Sequence, residues 1–239
     1  ALRGTCGFFR PSGRRSSSCV LVALLLLLGG VESNPGPSYC RPVPLTFGSL
    51  NARSAVKKGA LIRDTIESNQ LDFLAVCETW ITASDPDSIK LDMAPPNYVT
   101  RHIHCSAPGR TGRNSGLAIV YRDSLKVRPH PLQATIAISS FHFQAVNITS
   151  NNFSLLLINI YRWPDSNLNM FITELNSILA AATTAAGTDR LVVCGDFNCP
   201  GATPTTILDD LCVSVDSFGL QQLVKSSTRS GVTCDRLLG

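Results

Sequence analysis

Polar side chains end apolar runs at four places in this 239-residue chain. Asn51 closes "TFGSLN", Glu78 closes "LDFLAVCE", Tyr161 closes "LLLINIY", and Asp196 and Asn198 close "RLVVCGDFN". Such tips suit chemistry, because a sheet fixes their positions while they face an open cleft. Carboxylates, amides and a phenol with no clustered Cys or His form a hard-oxygen environment. That set suits Mg2+ or Mn2+ and argues against zinc. Taken singly, each residue has a plainer reading: Glu78 as a solvated strand end, Asn51 as a helix cap, Tyr161 as a core aromatic, "GDFN" as a turn. Their joint order and spacing carry the chemical one.

The elements that would hold these residues alternate along the chain. "VPLTFGSLN" reads as a strand, and residues 55–70 read as a helix with Val56, Ala60, Ile62 and Ile66 on its inner side. "LDFLAVCETW", "SGLAIVYRD", "SLLLINIYRW" and "RLVVCGDFN" are near-continuous apolar runs of strand length. Between the last two, Leu168, Phe171, Ile172, Leu175, Ile178 and Leu179 fall on one helical face, with Asp165 or Ser166 as the N-cap. "TTILDDLCVSV" reads as a short helix. Residues 132–148 alternate without helical character, which predicts antiparallel hairpins. Apolar strands alternating with helices indicate an α/β fold with mixed sheets covered by helices. No repeat or low-complexity linker interrupts residues 43–239, which read as one domain.

Composition narrows the setting. Hydrophobic residues make up 44% and charged residues 16%, enough apolar material for a core. The formal charge of +4 permits a phosphodiester substrate without requiring one. The nine cysteines are scattered without a C-x-x-C pair, which argues against a disulfide scaffold or a zinc ribbon. Cys77 and Cys194 sit inside strand-like runs, where cysteine acts as a small hydrophobe. Reduced thiols suit the cytosol or nucleus.

"SLNARS" with Asn51, "LAVCETW" with Glu78, "INIYRWP" with Tyr161 and "CGDFN" with Asp196 and Asn198 resemble the endonuclease/exonuclease/phosphatase superfamily, which includes DNase I and the abasic-site endonucleases. "ETWIT", "GLAIVYRDSL", "NIYRWP", "GDFN" and "STRSGVTCD" resemble in particular the endonuclease domain of non-LTR (LINE-type) retrotransposons, over about residues 45–239. The resemblance implies a DNase I-like four-layer sandwich: two mixed β-sheets packed face to face and flanked by helices. It implies Mg2+-dependent (or Mn2+-dependent) hydrolysis of a DNA phosphodiester, leaving a 3′-hydroxyl that primes a reverse transcriptase encoded downstream. On it, Glu78 binds the metal and Asn51 helps hold metal or phosphate. Asp196 positions or deprotonates the attacking water, Asn198 orients it, and Tyr161 donates a hydrogen bond to the phosphate. Asp235 falls where the family carries another active-site Asp. The family's later Asp-His pair has no counterpart before Gly239, so a C-terminally truncated domain of reduced activity is expected. His102, His104, His130 and His142 match no family motif. A phosphatase of small phosphoesters such as phosphoinositides, and a non-catalytic DNA-binding remnant, are the alternatives.

Residues 1–36 differ from the rest. Arg10, Arg14 and Arg15 precede "CVLVALLLLL", a signal-like layout with an apolar run about half the length a membrane span needs. No later run approaches that length, so no stable membrane span is expected. "GVESNPGP" then resembles 2A-like ribosome-skipping peptides through Glu32, Asn34, Pro35, Gly36 and Pro37, with Gly30 where the family usually has Asp. The resemblance implies a break between Gly36 and Pro37. A skipped domain would start at Pro37, without a targeting segment, in the cytoplasm or nucleus. Unskipped chains would retain the signal-like segment.

Overall fold

The computed structural model describes residues 3–4, 6–9, 45–104, 115–150, 153–185, 191–199 and 206–223. The chain divides into two units, one of Ala1–Pro11 with Leu45–Gly239 and the other of Ser12–Pro44. The Leu-rich run, the octapeptide at residues 30–37, and Asp235 lie outside the described residues.

Strand formation follows the apolar runs. β3 (Phe47–Asn51), β4 (Phe73–Cys77), β6 (Leu117–Arg122), β9 (Phe153–Arg162) and β10 (Leu191–Asp196) form where those runs predict them. Weaker signals hid β5 (Tyr98–Ile103) and β7 (Lys126–Pro129), and β8 (Phe141–Ser150) forms the expected hairpin with β9. The two-residue β1 (Arg3–Gly4) and β11 (Gln221–Gln222) form edges, and the four-residue β2 (Cys6–Phe9) pairs between β11 and β10. One sheet has the order β1-β3-β4-β6-β5, the other β11-β2-β10-β9-β8-β7. Both are mixed: β3–β4 and β9–β10 are parallel pairs, and the remaining pairs are antiparallel.

Period-two alternation explains how the sheets stack. Phe73 and Ala75 of β4 turn inward to meet Leu155, Leu157, Val192 and Cys194 of the opposite sheet in one buried cluster. Leu74 and Val76 turn outward onto α1 (Gly59–Ser68), whose Ile62 and Ile66 are fully buried. On the other sheet, Leu156, Ile158 and Ile160 pack against α4 (Leu168–Ala185) and α5 (Thr206–Ser217) through Phe171, Leu175, Ile178 and Leu211. The result is helix, sheet, sheet, helix, the four-layer arrangement expected. Each fully buried Phe, Leu or Ile contributes about 1.5–3 kcal/mol. Among the described residues no helix is long and apolar enough to cross a membrane.

Three local expectations need correction. The helix expected over 55–70 begins at Gly59, because Arg53 and Ser54 take left-handed φ of 44° and 76° and hold residues 52–58 as a loop. Ala60 is consequently exposed, while Gly59 is buried against Asp92. Leu132–Thr135 is a short helix, α3, not a strand; Pro131 with φ −55° starts it from a conformation already helical. The cap of α4 is Asn167, whose Oδ1 accepts the Met170 amide at 3.0 Å, not Asp165 or Ser166. Between β4 and β5 lies one further short helix, α2 (Asp87–Leu91).

Candidate active site

Parallel pairing puts strand ends together. Asn51 pairs with Cys77, the residue before Glu78, and Tyr161 pairs with Asp196. The facing sheets then bring both pairs of ends to one place. Asn51 Nδ2 donates to Glu78 Oε1 at 2.7 Å and to Asp196 Oδ2 at 2.6 Å, across 27 and 145 residues of sequence. Tyr161 is buried beside them, with its phenol in the field of Glu78 and Asp196. Burial first, then the charges of Glu78 and Asp196, push its phenol far above its ordinary value, so it stays a proton donor.

The backbone around these residues is locked in uncommon conformations. Glu78 and Trp80 have φ of 51° and 57°, and Asn198 has 45°. Non-glycine residues there cost about 1–3 kcal/mol each and persist only where surroundings hold them. The holding bonds are present. Ser54 N donates to Glu78 O at 2.8 Å, Thr79 N to Gly116 O at 3.1 Å and Trp80 N to Ser115 O at 2.9 Å. Before Asp196 stands Gly195, with φ 133°; a Cβ there would lie 1.9 Å from the Ile160 carbonyl oxygen. Only glycine lets β10 lie against β9 at this point.

Asn198 is tied directly to Asp196. Its backbone amide donates to Asp196 Oδ1 at 3.0 Å, and its side-chain nitrogen is committed to the Arg162 carbonyl at 2.6 Å. It therefore helps fix the Asp196 carboxylate, and one N–H of its side-chain amide is given to Arg162. Asn51 is not a helix cap: besides its two donated bonds, its Oδ1 accepts the Arg53 amide at 3.0 Å. Glu78 is buried rather than solvated.

Sequence reasoning missed three supporting residues. Arg162, 3% exposed, donates through Nη1 to Asn198 O at 2.8 Å and Phe197 O at 3.4 Å, and through Nη2 to Ser166 O. Its guanidinium sits 5.7 Å from the Phe171 ring centroid. Asn159, fully buried, bridges the sheets. Its Nδ2 donates to Val76 O and Ala118 O at 3.3 and 3.5 Å, and its Oδ1 accepts the Cys77 thiol at 3.3 Å. Lys58 donates through Nζ to Ala52 O and Arg53 O, pinning the loop after Asn51. A polar residue inside the apolar run "SLLLINIYRW" was the visible signal for Asn159 and Arg162; nothing in "AVKKGA" marked Lys58.

His142 pairs with Tyr161 across β8 and β9 and sets its ring edge-on to Trp163. His102 and His104 stack with centroids 5.7 Å apart and each contacts a carbonyl, Lys90 O at 2.7 Å and Ile81 O at 3.4 Å. Among the described residues no three His, Cys, Asp or Glu side chains gather as a metal site. Cys77 and Cys194 are buried free thiols.

Two facing mixed sheets with an amide-bridged pair of carboxylates at their shared end define a DNase I-like fold. The sequence profile of the Endonuclease/Exonuclease/phosphatase family matches residues 47–216, and the chain belongs to that family. Its members are hydrolytic nucleases and phosphatases. Solved structures agree on the fold. The endonuclease domain of TRAS1, a telomere-specific non-LTR retrotransposon, superposes with a TM-score of 0.54 at 15% identity over 77% of this chain and 75% of that one. The AP endonuclease LMAP from Leishmania major gives 0.51 at 14% identity over 86% and 77%. A family protein from Bacteroides thetaiotaomicron gives 0.51 at 13% over 72% and 69%. No curated protein sequence matches the chain.

Proposed function

We propose that this chain carries the DNA endonuclease domain of a non-LTR retrotransposon, nicking target DNA by phosphodiester hydrolysis to prime reverse transcription. The observation that supports it best is the Asn51 amide held between the Glu78 and Asp196 carboxylates beside the Tyr161 hydroxyl. The motif order "ETWIT", "NIYRWP", "GDFN" narrows the reading to the retrotransposon branch.

The donor set fits a divalent hard cation. Mg2+ is held through one or two carboxylates and keeps several waters. Glu78 would hold it, with Asn51 beside it, and the cation would neutralise charge developing on the phosphate and leaving oxygen. The chain's own groups do the rest. Asp196, with Oδ1 fixed by the Asn198 amide and Oδ2 by Asn51, accepts the proton of the attacking water. Asn198 keeps that carboxylate aimed. Tyr161, held protonated, turns its O–H to a phosphate oxygen as negative charge builds there. Asp235 joins this group on the family pattern.

Glu32, Asn34, Pro35, Gly36 and Pro37 form a ribosome-skipping peptide, which separates the signal-like segment and leaves the domain in the cytoplasm or nucleus. Placing residues 1–60 between two reporters tests it: separated products lost on Pro37→Ala support skipping, and a single fused product removes it. For the nuclease, supercoiled plasmid with Mg2+ is the assay. Nicking abolished by Glu78→Ala is the expected result; Mg2+-independent nicking, or nicking that survives Glu78→Ala, sinks the assignment. Thermal stabilisation by Mg2+ that disappears in Glu78→Gln reads the cation without catalysis.

A further inference from the structure

Beside the carboxylates lies an open depression of about 390 Å3 lined by Ser54, Val56, Lys57, Lys58 and Trp80. That volume is within the range that holds a small ligand. Its walls come from the two segments that leave the site, one after Asn51 and one after Glu78. They are fixed to each other by the Ser54–Glu78 and Ala55–Thr79 backbone bonds at 2.8 and 2.9 Å. Glu78 and Trp80 are two residues apart, at most about 7 Å along the chain. That is about two steps of a DNA strand at 3.4 Å each.

The lining has the chemistry of a nucleotide. Trp80 is half-buried and its Nε1 is buried without a partner among the described residues, so carbon surface is what the indole offers the depression. Val56 adds apolar area. Lys57 is exposed, Arg53 is exposed nearby, and Lys58 brings an ammonium whose position is set by the Ala52 and Arg53 carbonyls. The charge here is opposite in sign to that of Glu78 and Asp196. A pair of carboxylates repels a polyanion, and positive charge alongside offsets that repulsion.

We infer that this depression is a DNA subsite: a nucleotide flanking the scissile phosphodiester lays its base on Trp80 and Val56, with its phosphate at Lys57 and Lys58. The inference rests on the nuclease reading and names how that site grips its strand. Base stacking on an aromatic side chain is tolerant of sequence, so the subsite strengthens binding without selecting a base.

The chain contains two tryptophans, Trp80 and the buried Trp163, so indole fluorescence reports on the subsite. The whole chain is titrated with short DNA oligonucleotides in EDTA, where no cleavage competes. Affinity is read independently from the anisotropy of labelled DNA. Quenching that saturates with DNA and vanishes in Trp80→Phe is expected. Trp80→Ala should weaken binding about tenfold. Lys57→Ala, an exposed change that leaves the fold intact, should weaken binding and lower the slope of log affinity against log salt by about one. Unchanged affinity and slope in Lys57→Ala together with quenching retained in Trp80→Phe overturns the subsite. Plasmid nicking separates the two ideas. Wild-type nicking with a silent Trp80 refutes the subsite alone, whereas Trp80 quenching without nicking refutes the nuclease reading alone.

Discussion

Arg162→Met removes the guanidinium that holds the turn carrying Asp196 and Asn198, and the structure lets the loss be estimated. Two well-formed bonds go, to Asn198 O and Ser166 O, with a third, longer one to Phe197 O. Hydrogen bonds from a charged donor contribute about 1.5–3 kcal/mol each, so the gross loss from two is about 3–6 kcal/mol. Methionine fills much of the stem volume, and removing a buried charge recovers part of its desolvation, which burial already expresses as a lowered Arg162 pKa. Water reaching the freed carbonyls recovers more. The net expectation is about 2–4 kcal/mol of destabilisation, read as a lower urea midpoint at unchanged m. Activity should suffer beyond stability. A displaced Asn198 amide no longer fixes Asp196 Oδ1, and misplacement by about 1 Å costs about 100-fold in rate. Arg162→Lys keeps the charge but loses the fork, so it should recover little of the nicking rate. A folded Arg162→Met variant with wild-type stability and nicking would refute the reasoning; full rescue by lysine would show that charge, not geometry, is what matters.

Other expectations follow from neighbouring geometry. Gly195→Ala places a methyl against the Ile160 carbonyl at positive φ and should destabilise by about 3 kcal/mol in urea titration. Asn159→Ala leaves Val76 O and Ala118 O without their shared donor between the sheets; a loss of about 2 kcal/mol is expected, and an unchanged denaturation midpoint would contradict it. Burial holds His102, His130 and His142 below their ordinary pKa, so the unfolded chain binds more protons in acid. Their contribution is present above about pH 6.5 and lost as pH falls through the folded values, which a urea series from pH 7 to 5 should record. On the alkaline side burial pushes Cys194 up to about 12, so stability present below the ordinary thiol value should fall as pH rises toward 12.

The sequence by itself determined the long apolar strands, the main helical faces and the list of polar tips. These are local facts: apolar runs of strand length, i, i+3, i+4 spacing, and polar residues where each run stops. It also fixed which strand ends carry Asn51, Glu78, Tyr161 and Asp196. It did not determine the start of α1, because the left-handed pair Arg53–Ser54 is held by backbone bonds to Glu78 and by Lys58, partners invisible in a local window. Nor did it show that Asn198 spends its amide on Arg162, or that Asn159 and Cys77 join the sheets through a shared polar link. Those depend on residues 36 and 82 positions apart in sequence meeting in space. Above all, only sheet stacking placed one amide nitrogen between carboxylates from two sheets. Periodicity can put a polar residue at the end of a strand; the packing of two apolar faces decides which ends meet.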